Sequence, residues 1–292
     1  MTSTTKGLIA VIIAAVIGGG IPVMGKIGLS VIPPTTFTFF RFLIAAFFIL
    51  PFAKPFPKIT RNMLKKIFLV SLLGTSNVTL FAFGVRETTA TVSQLLYAVV
   101  PVIALLLVRI IYGEQFSRKK ILGVSLGFIG VLILILLPAI AKNNVFSGKL
   151  SGNLIVATAV VSFSFYSVLS KKFQESAKPA FLTFILAITT CLVMLPLAIS
   201  EYLANPIWIK EIALAPIAST FYVGIMGGAV YYLLYQYAIK LGGPVIASLT
   251  LFIQPVATYL WAFMLLGEKL VPGVVIGAIL TLIGARLVTI KK

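Results

Sequence analysis

Apolar residues run along this chain in blocks of about twenty, separated by short stretches that hold turn residues and most of the Lys and Arg. A helix crosses the hydrocarbon core of a bilayer in about 20 residues, so each block has the length of one crossing. The pattern predicts ten spans, at roughly 7–25, 34–53, 65–84, 90–111, 119–138, 152–170, 179–199, 214–238, 244–265 and 272–289. No interval between them is long or polar enough for a separate soluble domain. The predicted fold is an all-α membrane protein with ten transmembrane helices.

The blocks repeat. Arg86, Pro101, Gly113, Glu114, Gly123 and Gly130 match Lys240, Pro255, Gly267, Glu268, Gly277 and Gly284 at one constant offset. Lys26, Pro34 and Pro51 match Lys171, Pro179 and Pro196 at an offset shorter by nine residues, so an insertion is expected in the loop Glu201 to Glu211. Leu and Val matches carry little weight between apolar helices; Pro, Gly and Glu matches carry the argument. Two five-span repeats follow, over residues 1–140 and 150–292. An odd number of spans sends the second repeat through the membrane in the opposite sense to the first, the inverted construction of many secondary transporters.

Charge sets the orientation. With the N-terminus cytoplasmic, 16 of the 24 Lys and Arg fall in inside segments and 6 in outside loops. The positive-inside bias therefore puts both termini in the cytoplasm of a multi-pass cytoplasmic (inner) membrane protein. The formal charge of +18 does not point to nucleic acid, because the basic residues sit in short loops and form no basic domain. A cleaved signal peptide is not expected, since the first span carries Gly18-Gly19-Gly20 and Pro22 and has an ordinary span as its repeat mate. The chain has no His, no Asp and one cysteine, Cys191, which removes the usual zinc sites, catalytic triads and disulfides. An enzyme is not expected, nor a metal or other cofactor. A passive channel would need a selectivity filter, and nothing in the chain resembles one.

Three stretches resemble a known family. PPTTFTFFRFLIAAFFILP from Pro33 is similar to the second helix of the drug/metabolite transporter superfamily, EamA-like branch. PVIALLLVRIIYGEQFSRKKILGVSLGFIGVLIL and PVATYLWAFMLLGEKLVPGVVIGAILTLIGARLV resemble its fourth and fifth, and its ninth and tenth, helices. The resemblance covers essentially the whole chain. It implies a ten-helix inverted-repeat transporter, often an exporter of amino acids or other small metabolites, and it leans toward a monomer. The partners expected are a small-molecule solute and the lipid bilayer. The chain departs from the family where its first helix commonly reads Trp-Gly-Ser-Asn-Phe; Gly18 to Pro22 stand there instead.

The candidate solute-binding residues are the polar groups within the spans. Arg41 is a charge inside the second span, and Leu186 fills its place in the other repeat. It either binds a solute carboxylate or snorkels to the outer helix end. Asn77 in the third span and its mate Tyr231 in the eighth stand at mirrored mid-depth, where a central cavity is expected; helix packing is the alternative role. Tyr235 shares a face with Tyr231, while Tyr222, Tyr232 and Tyr237 are candidates for an interfacial belt. Thr250 and Gln254 in the ninth span, Gln94 in the fourth, and Ser162 with Tyr166 in the sixth complete the set. Hinges are expected at Gly19, Gly20 and Pro22 of the first span and at the symmetric Pro101 and Pro255; small residues in the first span equally permit close helix contact. Glu114 and Glu268 lie at helix ends, where a structural role is expected. The leading expectation is a transporter exporting amino acids by alternating access; the alternative is an organic-cation or anionic-metabolite exchanger of the same fold.

Overall fold

The computed structural model describes residues 3–88, 90–141, 149–266 and 272–289. The described residues form α-helices and short 3-10 and π segments, with no strand among them. The first half consists of α1 (Ser3–Leu29), α2 (Pro34–Ala53), α3 (Arg61–Glu87), α4 (Ala90–Tyr97), α5 (Val100–Tyr112) and α6 (Arg118–Ala141). The second half consists of α7 (Leu150–Ser170), α8 (Pro179–Ala204), α9 (Leu214–Tyr222), α10 (Tyr231–Gly242), α11 (Pro244–Ser248), α12 (Thr250–Leu266) and α13 (Pro272–Thr289). Helix ends follow local chemistry. Thr60 caps α3 by accepting from the Met63 N–H at 3.2 Å, prolines occupy the first turns of α2 and α8, and Gly113 ends α5 in the left-handed region at φ 67°.

Six helical runs among the described residues are each long and apolar enough to cross a bilayer, including α9 to α10 as one continuous run. Large apolar side chains such as Phe47 and Ile110 face outward, 71% and 77% exposed, while many Ala, Ser and Thr residues are buried in the helix contacts beside larger ones such as Phe42 and Tyr235. That distribution suits a lipid solvent, in which helices associate by close packing of small residues and apolar groups gain nothing by hiding.

The packing pairs up the repeat. α2 packs on α8 and α6 on α13, each helix on its own mate; α1 contacts α10 and α12 as α7 contacts α3 and α5. Mates run antiparallel. Glu201, near the end of α8, accepts from the N–H groups of Thr35 and Thr36 at the start of α2, at 3.1 and 2.8 Å. In the other pair the two glycine stripes meet head to tail. A Cβ on Gly123 would lie 2.8 Å from the Gly284 carbonyl, and one on Gly130 would lie 2.9 Å from the Gly277 carbonyl. Among the described residues two ion pairs form, Lys149 with Glu87 at 2.7 Å and Lys171 with Glu114.

The structure corrects several expectations about single helices. The fourth and ninth spans are broken. α4 gives way to α5 at Ala98–Val99, immediately before Pro101, and α11 gives way to α12 at Leu249, well before Pro255. Pro101 therefore opens a helix at a position where its missing N–H costs nothing, while Pro255 lies inside one, and the two prolines are not equivalent. α1 is helical through Gly19, Gly20 and Pro22 in this structure. Its glycines allow close approach, since a Cβ on Gly19 would lie 2.9 Å from the Thr258 backbone nitrogen of α12. The eighth span is not a plain α-helix but widens into a π-helical segment, Val223–Val230. The expected insertion loop extends α8 to Ala204 and then forms a 3-10 turn, Pro206–Glu211. Glu268 lies outside the described residues.

Candidate functional site

A cavity of about 80 Å³ lies between the two halves. It is walled by Ile21 and Pro22 of α1, Arg41 of α2, Asn77, Val78 and Phe81 of α3, and Ser93, Gln94 and Tyr97 of α4. The second half contributes Phe163 of α7, Tyr231 and Tyr232 of α10, and Leu251 and Gln254 of α12. Its volume gives room for a small group of waters.

Arg41 reaches this space because the π segment lets α10's crossing run close to α2. A Cβ on Gly224 would lie 3.0 Å from the Arg41 carbonyl oxygen, and one on Gly227 would lie 3.3 Å from its Nη2. Glycines thus clear room for the guanidinium, and a π turn inserts the extra residue that turns them toward it. Arg41 is 9% exposed, stands 5.1 Å from the Phe42 ring centroid, and its Nε has no hydrogen-bond partner. Among the described residues no carboxylate lines the cavity, and the ion pairs lie elsewhere. Arg41 is turned inward, and among the described residues no carboxylate pairs with it.

Asn77 donates through Nδ2 to the Tyr97 hydroxyl at 2.5 Å and to the Ala159 carbonyl at 2.9 Å, joining α3 to α4 and α7 at the cavity edge. Asn77 therefore lines the cavity and ties neighbouring helices together. Its mate Tyr231 lines the same cavity, stacked on Tyr235 at 6.1 Å and edge-on to Tyr232 at 5.6 Å. Gln94, Gln254 and Pro22 also line it. The Gln254 Oε1 is buried and accepts no hydrogen bond.

Four of the expected binding residues stand off the cavity. The Ser162 hydroxyl donates to the Leu73 carbonyl at 2.8 Å and ties α7 to α3. The Thr250 hydroxyl donates to the Ala247 carbonyl at 2.7 Å, satisfying a backbone group freed by the break before α12. Tyr166 and Tyr235 belong to a buried polar cluster at the C-terminal end of α7: Gln236 Nε2 donates to the Tyr166 hydroxyl at 2.7 Å, Gln174 Nε2 donates to Gln236 Oε1 at 2.5 Å, and Ser167 and Tyr235 share a 2.9 Å bond. Periodicity found the polar faces of these helices but not which neighbour each face meets.

Tyr97, Ser93, Phe81, Phe163 and Tyr232 were not anticipated in the cavity wall. Tyr97 was findable, since it stands three residues from Gln94 and four from Ser93 on one helical face. Tyr232, a belt candidate from sequence, is only 3% exposed, whereas Tyr237 is 43% exposed and suits an interfacial place. A larger space, about 440 Å³, opens between Arg86, Trp208 and Glu211 at the start of α2. A second carboxylate in its wall, Glu201, is already committed to capping α2.

The profile of the EamA-like transporter family matches residues 5–136 and 150–290. An uncharacterized transporter of Archaeoglobus fulgidus is 26% identical over 299 residues, covering 100% of this chain and 99% of that one. One of Clostridium kluyveri is 27% identical, covering 96% of this chain and 92% of its own. A solved crystal structure superposes with a TM-score of 0.76 at 17% identity over 98% of both chains, a likeness of fold.

Proposed function

Because the chain belongs to the EamA-like transporter family, and so is a multi-pass membrane transporter, we propose that it carries a small carboxylate-bearing organic metabolite, an amino acid foremost, by alternating access through the cavity between its halves. One observation carries the reading: Arg41 faces that cavity with no carboxylate beside it. A cation within a span costs up to about 2.5–3.5 kcal/mol on insertion scales, and its repeat mate Leu186 means that the symmetric fold has no need of it. A solute carboxylate supplies the missing charge in a bidentate geometry that guanidinium favours. An organic cation meets repulsion at the same place, so the anionic and zwitterionic solutes are preferred.

Alternation is supported by the repeat arithmetic. The buried polar cluster holds Tyr166, Ser167, Tyr235 and Gln236; their mates are Ile21, Pro22, Phe81 and Ala82. Three of those mates line the cavity. An inverted repeat that exchanged the two arrangements would part the polar cluster and close Ile21 and Pro22 on Phe81. In this reading the units 1–140 and 150–292 rock against each other in the cytoplasmic membrane, with both termini cytoplasmic, export as the working direction and no catalytic step. A single copy encloses the whole cavity, which suits a monomer.

Counterflow in proteoliposomes tests it. Vesicles loaded with unlabelled amino acids and organic anions should accumulate the labelled solute, and Arg41→Gln should abolish that. Accumulation of organic cations alone, or leak without counterflow, overturns the proposal.

A further inference from the structure

Gln254 is a second uncompensated polar group in the same cavity, of opposite polarity to Arg41. Its Oε1 is sealed from solvent and accepts nothing, while the Arg41 Nε donates nothing. A buried amide carbonyl without a donor is costly, and native structures keep few such groups without a reason. The repeat mate of Gln254 is Val100, a fully buried apolar residue, so the other half carries no amide there. The surroundings are shaped around the amide. A Cβ on Gly18 would lie 2.9 Å from Gln254 Oε1 and 2.9 Å from Tyr231 Cε2, so α1 carries a glycine where the carbonyl sits.

The two groups also lie close enough for one solute. Gly18 borders Gln254, while Ile21 borders Gly227, which in turn borders the Arg41 guanidinium. Gly18 and Ile21 are one helical turn apart, about 4.5 Å along α1 at 1.5 Å per residue. We propose that Gln254 reads a hydrogen-bond donor on the solute, so that the cavity selects carboxylates carrying an N–H or O–H beside the anionic group, amino and hydroxy acids, over plain carboxylates. This rests on the carboxylate reading of Arg41 above. A plain acid would neutralise Arg41 but leave the Gln254 carbonyl unbonded on binding, and a site built around such a bond rejects the analogue that lacks it.

Ligand-induced thermal stabilisation of the purified full-length protein reads binding directly and does not depend on turnover. Two matched series serve as probes: alanine, lactate, propionate and ethylamine, and phenylalanine, phenyllactate, phenylpropionate and phenethylamine. In whichever series binds, the amino and hydroxy acids should bind roughly 10- to 100-fold more tightly than the plain acid, the amine not at all. Gln254→Met should collapse that ratio to about one. A ratio near one in the wild type, or one that survives in Gln254→Met, overturns the inference and leaves the carboxylate reading standing. Binding of the amines alone, or of none of the eight, overturns the carboxylate reading and the inference with it. A Gln254→Met protein with the wild-type unliganded melting point excludes misfolding as the cause of a lost ratio.

Discussion

The antiparallel contact between α6 and α13 makes a quantitative prediction about Gly130. A methyl group there would stand 2.5 Å from the Thr281 backbone nitrogen, 2.7 Å from its Oγ1 and 2.9 Å from the Gly277 carbonyl. Favourable contacts between heavy atoms begin at about 3.5 Å, so Gly130→Ala forces the two helices apart by roughly 1 Å. Two of the three obstructing atoms are backbone and cannot rotate away. Overpacking of this kind costs about 1–3 kcal/mol, and a backbone clash belongs at the upper end. Against it stands the better helix propensity of alanine, about 1 kcal/mol. Sterics win, and the expected net loss is about 2 kcal/mol. Gly25→Ala is the matched control. It makes the same exchange within α1, where nothing lies within 4 Å of the new methyl, so only the propensity gain of about 1 kcal/mol remains. Cys191, the single cysteine, is 8% exposed on α8 and away from both sites, so its labelling by a thiol-reactive dye during heating reports unfolding without added probes. At roughly 2–4 °C per kcal/mol, Gly130→Ala should melt several degrees below the wild type and Gly25→Ala slightly above it. Equal melting of the two variants would refute the close antiparallel contact.

Further outcomes follow from individual contacts. Arg41→Gln removes an attraction worth about 4 kcal/mol at 4 Å and an effective dielectric of 20, so the half-saturating solute concentration in counterflow should rise roughly 1000-fold; Arg41→Lys, which keeps the charge and loses the fork, should fall between, and an unaltered Arg41→Gln would remove Arg41 from the binding site. Asn77→Leu and Tyr97→Phe should be non-additive in a double-mutant cycle by about 1 kcal/mol, because each deletes the same 2.5 Å bond; additive losses would show that the bond contributes nothing. Glu114→Gln should cost at most about 1 kcal/mol, since its pair with Lys171 is 41% and 34% exposed and screened by solvent. Any proton-driven exchange should survive that change, and its disappearance would assign Glu114 a coupling role.

The linear chain by itself determined an all-α membrane protein and the small-residue stripes of α6 and α13, and it pointed to ten crossings in two sets of five. These depend on properties that every solvent-exposed or lipid-exposed helix must satisfy locally: enough apolar length to cross the lipid, turn residues at the ends, and basic residues in the loops. It also pointed to Arg41, Asn77, Gln94, Tyr231 and Gln254, because a polar group inside an apolar span is conspicuous wherever it ends up. What it could not decide was which of those groups share a space. Ser162, Thr250, Tyr166 and Tyr235 are as polar and as deep, yet they bond neighbouring helices or broken backbone. The difference lies in the rotation of each helix about its own axis, and that is set by partners distant in sequence. Tertiary structure alone likewise produced the π segment of Val223–Val230 and the breaks at Ala98–Val99 and Leu249. Local propensity barely distinguishes a π turn or a break from an α-helix in so apolar a stretch. The choice is made where α2 presses on Gly224 and Gly228, and the same contact turns Arg41 inward, away from the bilayer.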